Sequence, residues 1–290
     1  MINSNRNRLT DREKERRQEE RDSIPVIIKR NDEVVKHPDD TLEKVIQEGE
    51  AQAKRSPLSL FLSALSAGLI VGFSAMAVAF ASTASQGVEN EFIRRLSIAL
   101  VYPFGFIIVI MSGAQLFTEH TSLAVYPLLE KRIGLLRLHR MWGVVISGNL
   151  VGTFFSAILL FLAEPVIGIK YGYIDIAHQL TDHGWWQIGV SSVLAGWLMS
   201  LGGWLVRATP TSLSQIVCIY IVTFLIGIGN LHHSIAGSSE VFTAFLMDEN
   251  YRVDKVLFFL SASIPGNLLG GSVFVAILNY AHIRQTNMSR

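Results

Sequence analysis

Two short polar runs interrupt long apolar ones in this chain of 290 residues: Thr118-Glu119-His120-Thr121-Ser122 and Asn230-Leu231-His232-His233-Ser234. Imidazole, with a reference pKa near ~6.5, can exchange protons at physiological pH and can hydrogen-bond an anion. Carboxylate and imidazole side chains can also ligate metals, so Glu119, His120, His232 and His233 invite an intramembrane oxidase reading. Against it, the adjacent histidines stand alone, with no repeated His clusters at helical spacing. No metal or cofactor is therefore expected, and no enzyme. The single cysteine, Cys218, lies in an apolar run and cannot build a disulfide framework or a thiolate site.

The elements that must position these groups follow from a divided composition. Charged residues make up 17% of the chain, against ~25% for an ordinary soluble domain. Residues 1–56 carry 13 Lys+Arg and 13 Asp+Glu, so the remaining 234 residues hold few charges. Net charge is +1, with no basic patch outside that segment, which argues against a nucleic-acid partner. Residues 1–39 mix acids and bases with few large apolar residues and read as a disordered tail. Over 40–56, Asp40-Thr41 reads as a helix N-cap, with Leu42, Val45 and Ile46 at helical spacing: an amphipathic helix along the membrane surface.

Six apolar stretches follow, near 58–82, 98–118, 142–163, 186–206, 214–229 and 256–279, within a body spanning 57–282. Each is close to the ~20 residues that cross a ~30 Å hydrocarbon core. Basic residues cluster in alternate loops (Lys131, Arg132, Arg137 and Arg140; Arg207; Arg284 and Arg290 in the terminus 283–290), which sets both termini in the cytoplasm. The second and fifth stretches run into the two polar segments, at 118–122 and 230–239. Irregular backbone at membrane depth must line a cavity or sit in protein. Interrupted helices at matching places in two halves point to inverted repeats with a midplane site. The expected fold is therefore all-α and integral to the membrane: six transmembrane helices as two inverted three-helix repeats, with broken second and fifth helices, a channel or transporter.

Four motifs resemble the formate/nitrite transporter family. Tyr102-Pro-Phe-Gly-Phe leading to Gly113-Ala-Gln-Leu-Phe-Thr118 resembles its second helix and the loop after it. Leu231-His232-His233-Ser234-Ile235-Ala236 is similar to its fifth-helix loop. Gly148-Asn149-Leu150-Val151-Gly152 and Gly266-Asn267-Leu268-Leu269-Gly270 are similar to its paired Gly-Asn helices. The match runs over about 58–280, and within the family it looks most like the YfdC-type inner-membrane branch. The resemblance implies an aquaporin-like fold, a homopentamer with one pore per protomer, and passage of small monovalent anions or their conjugate acids across the lipid bilayer of the inner membrane. By the same resemblance, His233 matches the central pore histidine and Thr118 the threonine that hydrogen-bonds it. Leu116, Phe117 and Phe106 match the cytoplasmic-side constriction, Tyr102 and Ile226 the periplasmic one, and Arg140 a basic residue near the cytoplasmic entrance. Gln115 replaces the family's acid, Glu119 replaces a small residue, and His232 stands where many members have Glu.

A bare anion at mid-bilayer carries a desolvation cost that its neutral acid does not. On this reading His233 hydrogen-bonds the anion and assists proton-linked passage. The plainer readings are structural. His232 faces a vestibule or a neighbour, Glu119 and His120 form an ion pair, Arg140 anchors the chain, and Asn149 and Asn267 cross-link helices. An aquaporin-like channel for water or small neutral solutes is the rival function, although the sequence contains no Asn-Pro dipeptide.

Overall fold

The computed structural model describes residues 35–288. The disordered tail expected over 1–39 lies outside the described residues as far as residue 34, and Arg290 likewise. Among the described residues the chain is all helix, in twelve α-helices and one π-helical stretch.

Helix α1 (Pro38–Lys54) begins earlier than the Asp40-Thr41 cap expected from sequence. Proline takes its first position after the N-cap His37, and Asp39 and Asp40 fill the first turn, where acids favour the helix dipole. Its apolar face is not left for lipid. Leu42, Val45 and Ile46 are buried with Leu123, Tyr126, Ala276 and Ile283. A second proline start, capped by Ser56, opens α2 (Pro57–Ala84).

Helices α3 (Glu91–Val101) and α4 (Pro103–Met111) form one run of 21 residues with a joint at Tyr102-Pro103. Proline breaks the backbone ladder there, and Ser74 repairs it: its hydroxyl donates to Tyr102 O at 2.8 Å and accepts from Gly105 N–H at 3.0 Å. The chain then breaks at Ser112–Leu116, with Gly113 at φ 73°, and restarts as α5 (Phe117–Leu129). The break thus precedes the expected 118–122. Thr118, Glu119 and His120 form the first turn of a new helix.

Beyond α5, α6 (Leu135–Ile167) takes in much of the basic loop expected at 130–141. The sequence did not suggest α7 (Lys170–Thr181), a polar helix between the third and fourth apolar stretches. Next come α8 (Trp185–Ala208) and α9 (Ser212–Ile228). The second break, Gly229–His233, holds Asn230 at φ 48°, a conformation that asparagine tolerates better than most residues. Helix α10 (Ser234–Met247) follows, so the expected break at 230–239 ends at His233. Helix α11 (Val253–Leu269), the π-helical stretch Gly270–Ile277 and α12 (Leu278–Met288) are continuous.

Five of these helical runs are long and apolar enough to cross a membrane, and Ser212–Ile228 is a shorter apolar helix. Close approach between α2 and α6 needs glycine: a methyl on Gly152 would meet Gly68 Cα at 2.9 Å. Gly270 makes the same kind of approach to α8, where a methyl would meet Trp197 N at 2.6 Å.

Candidate functional site

The two breaks are clamped by two asparagines with matching hydrogen bonds. Asn149, on α6, accepts from Phe117 N–H at 2.8 Å and donates to Ala64 O at 2.7 Å and Gln115 O at 2.9 Å. Asn267, on α11, accepts from Ser234 N–H at 2.7 Å and donates to Ser192 O at 2.7 Å and His232 O at 3.0 Å. Each amide binds the first residue of a half-helix, the carbonyl two residues before it, and a carbonyl of a crossing helix. Helix starts leave backbone N–H groups without intrahelical partners, and buried ones must find an acceptor. Both asparagines are fully buried, and each ties a half-helix start to a crossing helix.

The half-helix starts meet at Thr118 and His233, whose Oγ1 and Nε2 lie 2.6 Å apart. His233 caps α10, its Nδ1 accepting from Ala236 N–H at 3.1 Å. A ring nitrogen that accepts from an amide carries no proton, so the proton of the neutral ring is on Nε2 and is donated to Thr118 Oγ1. Thr118 Oγ1 thereby keeps its own hydroxyl proton for another acceptor. Phe106 sits edge-on to the His233 ring at 5.1 Å between centroids, and Tyr102 lies 5.1 Å from Phe106. Leu116, Phe117 and Phe106 are all buried beside this pair.

On one side of His233 is a chamber of about 20 Å³, the scale of a single water, lined by Tyr102, Ile226, Leu180, Gly237, Glu240 and His233 among others. It shares Ile98 and Asn230 with a larger mouth of about 640 Å³, which contains Glu91, Arg94, Arg95, Asp175, His178 and Asp182. At the rim, a hydrogen bond and the charge of Lys255 hold the Asp182 carboxyl below the usual carboxylate range. On the side where α1 packs, a chamber of about 10 Å³ is lined by Phe117, His120, Gln115, Met141, Trp142, Val145 and Gln52 of α1.

The remaining candidates are engaged in other contacts or exposed. Glu119 is 2% exposed and accepts from Arg207 Nη1 at 2.8 Å, with His120 Nδ1 3.4 Å from its second oxygen. Arg207 also donates through Nε to Glu48 of α1 at 2.7 Å and through Nη1 to Gly203 O at 2.9 Å. His120 donates from Nδ1 to Leu116 O at 3.1 Å, which leaves Nε2 as the ring's second nitrogen. His232 is spent: Nε2 donates to Leu180 O at 3.1 Å and Nδ1 accepts from Ser191 Oγ at 2.8 Å. Arg140 is exposed, next to Met141, which does line the chamber on the α1 side.

Sequence reasoning missed two groups. Arg207 entered it only as a loop charge that fixes orientation. Glu240 passed unnoticed inside an apolar half-helix, although His233, Gly237 and Glu240 follow the i, i+4, i+7 spacing of one helix face.

A family model described as "Formate/nitrite transporter" matches residues 39–281. The chain is 32% identical to "Inner membrane protein YfdC" of Escherichia coli (strain K12) over 248 residues, 83% of this chain and 77% of that protein. A solved "FNT family ion channel" superimposes with a TM-score of 0.76 at 20% identity, covering 84% of this chain and 98% of the other. A "Pentameric formate channel with formate bound" gives 0.68 at 20% identity, covering 78% and 97%.

Proposed function

Because the chain belongs to the formate/nitrite transporter family, we propose that it is a transmembrane channel for small monovalent anions or their conjugate weak acids. The observation that carries this reading is the Thr118–His233 pair, held where two half-helices begin, between two small chambers. Helix starts offer N–H groups and the positive end of a dipole to an anion. An anion replacing Thr118 as the acceptor of His233 Nε2–H would regain there part of the hydration it loses. Tyr102 and Ile226 on one side, and Phe106, Leu116 and Phe117 on the other, form the apolar narrowings that favour the neutral acid. Glu119 and His232, being spent in ion-pair and hydrogen-bond contacts, do not oppose an anion in the pore.

The same reading includes six spans in two inverted three-helix repeats, an aquaporin-like arrangement. The matched hydrogen bonds of Asn149 and Asn267 support it. It also includes a homopentamer in the inner membrane, which the pentameric likeness and the inner-membrane relative support, with both termini in the cytoplasm, which the basic loops support. Arg140, exposed near the chamber on the α1 side, then draws anions toward the cytoplasmic entrance.

A panel of anions in proteoliposomes at pH 5 and pH 7 tests the function. His233→Ala also removes the cap of α10, so His233→Asn, which keeps a capping acceptor, is the sharper variant. Loss of one hydrogen bond to a charged solute predicts at least tenfold slower anion flux for His233→Asn, from about 1.5 kcal/mol or more. Water or glycerol flux without anion flux in the unaltered protein would reassign the pore to neutral solutes.

A further inference from the structure

Glu240 lies 4% exposed against the chamber of about 20 Å³ beside His233, with no hydrogen-bond or ion-pair partner among the described residues. It stands seven residues beyond His233 on the same face of α10, roughly 10 Å along the helix. Gly237, between them in sequence, lines the same chamber as both groups, with the Phe259 ring packed where a methyl on it would lie. The other buried carboxylate, Glu119, is tied down by Arg207 and His120, and half-buried Asp175 accepts from Ser82 Oγ at 2.5 Å and from Gln179 at 2.9 Å. The titratable groups that line this chamber are Tyr102, His233 and Glu240, and none of them brings a cation to Glu240. Val78 of α2, Ile98 of α3, Ile176 and Leu180 of α7 and Ile226 of α9 form the apolar wall of this chamber.

His233 is poorly placed to supply a proton. Its Nδ1 accepts from Ala236 N–H, so an imidazolium would set two N–H groups against each other and forfeit the cap of α10. A second group must then do the acid chemistry. An ionised carboxylate with nothing to replace its hydration is costly in such surroundings, whereas a carboxylic acid there is both a hydrogen-bond donor and a proton source.

We propose that Glu240 is the proton donor of this pore, an inference that rests on the anion-channel reading above. An anion arriving from the mouth meets the Glu240 carboxyl before it reaches His233. The O–H bond of Glu240 breaks as an O–H bond forms on the basic oxygen of the anion, which continues as the neutral acid past His233 and the Phe106–Phe117 narrowing. The Glu240 carboxylate then takes a proton from water at the mouth, through the gap shared by Ile98 and Asn230. Each cycle moves one proton with one anion and no net charge. His233 orients the solute and Glu240 protonates it.

The test uses full-length protein in proteoliposomes, with formate as the probe, an entrapped pH dye, and the membrane potential clamped by potassium and valinomycin. For the unaltered protein, formate uptake is expected to follow the pH gradient and ignore the clamped potential. Glu240→Gln keeps the shape but has no proton to give; uptake is expected to fall at least tenfold, and what remains to become sensitive to the potential. Glu240→Asp is expected to restore part of the electroneutral uptake. Unchanged electroneutral uptake and an unchanged pH profile in Glu240→Gln would overturn the proposal while leaving the channel reading intact. So would an inert Glu240→Gln that Glu240→Asp fails to rescue. Absence of formate or any other anion flux in the unaltered protein would overturn the channel reading itself, and this proposal with it.

Discussion

Asn149→Leu is expected to cost more stability than any other single side-chain change around the two helix breaks. Leucine matches asparagine closely in size, so the change removes hydrogen bonds without opening a cavity. It leaves three buried backbone groups without their partner: Phe117 N–H, Ala64 O and Gln115 O. At about 1–3 kcal/mol for each unsatisfied group, the loss is on the order of 5 kcal/mol. For a protein of this size that corresponds to a fall in Tm of roughly 10 °C or more, readable by fluorescence-detected unfolding in detergent. Asn267→Leu should behave alike, because Ser234 N–H, Ser192 O and His232 O are the same three kinds of group. Flux should fall with stability, since both clamps fix the backbone on either side of the Thr118–His233 bond. Either variant unfolding within 2 °C of the unaltered protein would remove the asparagines from this role.

That both clamps were visible as Gly-Asn pairs explains how far the sequence could be read. Apolar length marked the spans, and polar residues inside them marked the breaks. The second break was legible from Asn230, although it ends at His233; the first lies before the expected 118–122. Thr118, Glu119 and His120 look like loop residues by type, yet each finds a partner that lets it sit in a helical turn: His233, Arg207 and the Leu116 carbonyl. The irregular backbone falls instead at Gly113 and Asn230, the positions that tolerate positive φ. Helix α7 escaped because its residues are mixed in character and its apolar face, with Tyr173, Ile176 and Leu180, is narrow. Glu240 escaped for the opposite reason: one carboxyl among Val241, Phe242, Ala244 and Phe245 does not alter an apolar average. Only the one-face spacing with His233 carries its signal.

Arg207 entered the sequence reading only as a loop charge, and its removal should be the second large effect. As a loop-proximal arginine it fits the positive-inside pattern. In the fold it is buried and holds two carboxylates, Glu48 of α1 and Glu119 of α5, at 2.7 and 2.8 Å. Taking away one member of a buried ion-pair network costs about 3–5 kcal/mol, chiefly because the partner charge is left unpaired. Arg207→Met should therefore lower Tm by roughly 10 °C. It should also loosen α1, which then exposes the Lys54-Arg55 bond to trypsin at lower enzyme concentration than in the unaltered protein. The cause can be separated from simple loss of packing by adding Glu119→Gln. If the penalty comes from the stranded carboxylate beside His120, the Arg207→Met/Glu119→Gln pair should recover half or more of the lost Tm. Trypsin sensitivity should persist, because Glu48 still lacks its anchor. A double variant no more stable than Arg207→Met alone would mean that Arg207 acts through its contacts with Gly203 and the surrounding helices, and that the charge of Glu119 is held by His120 without it.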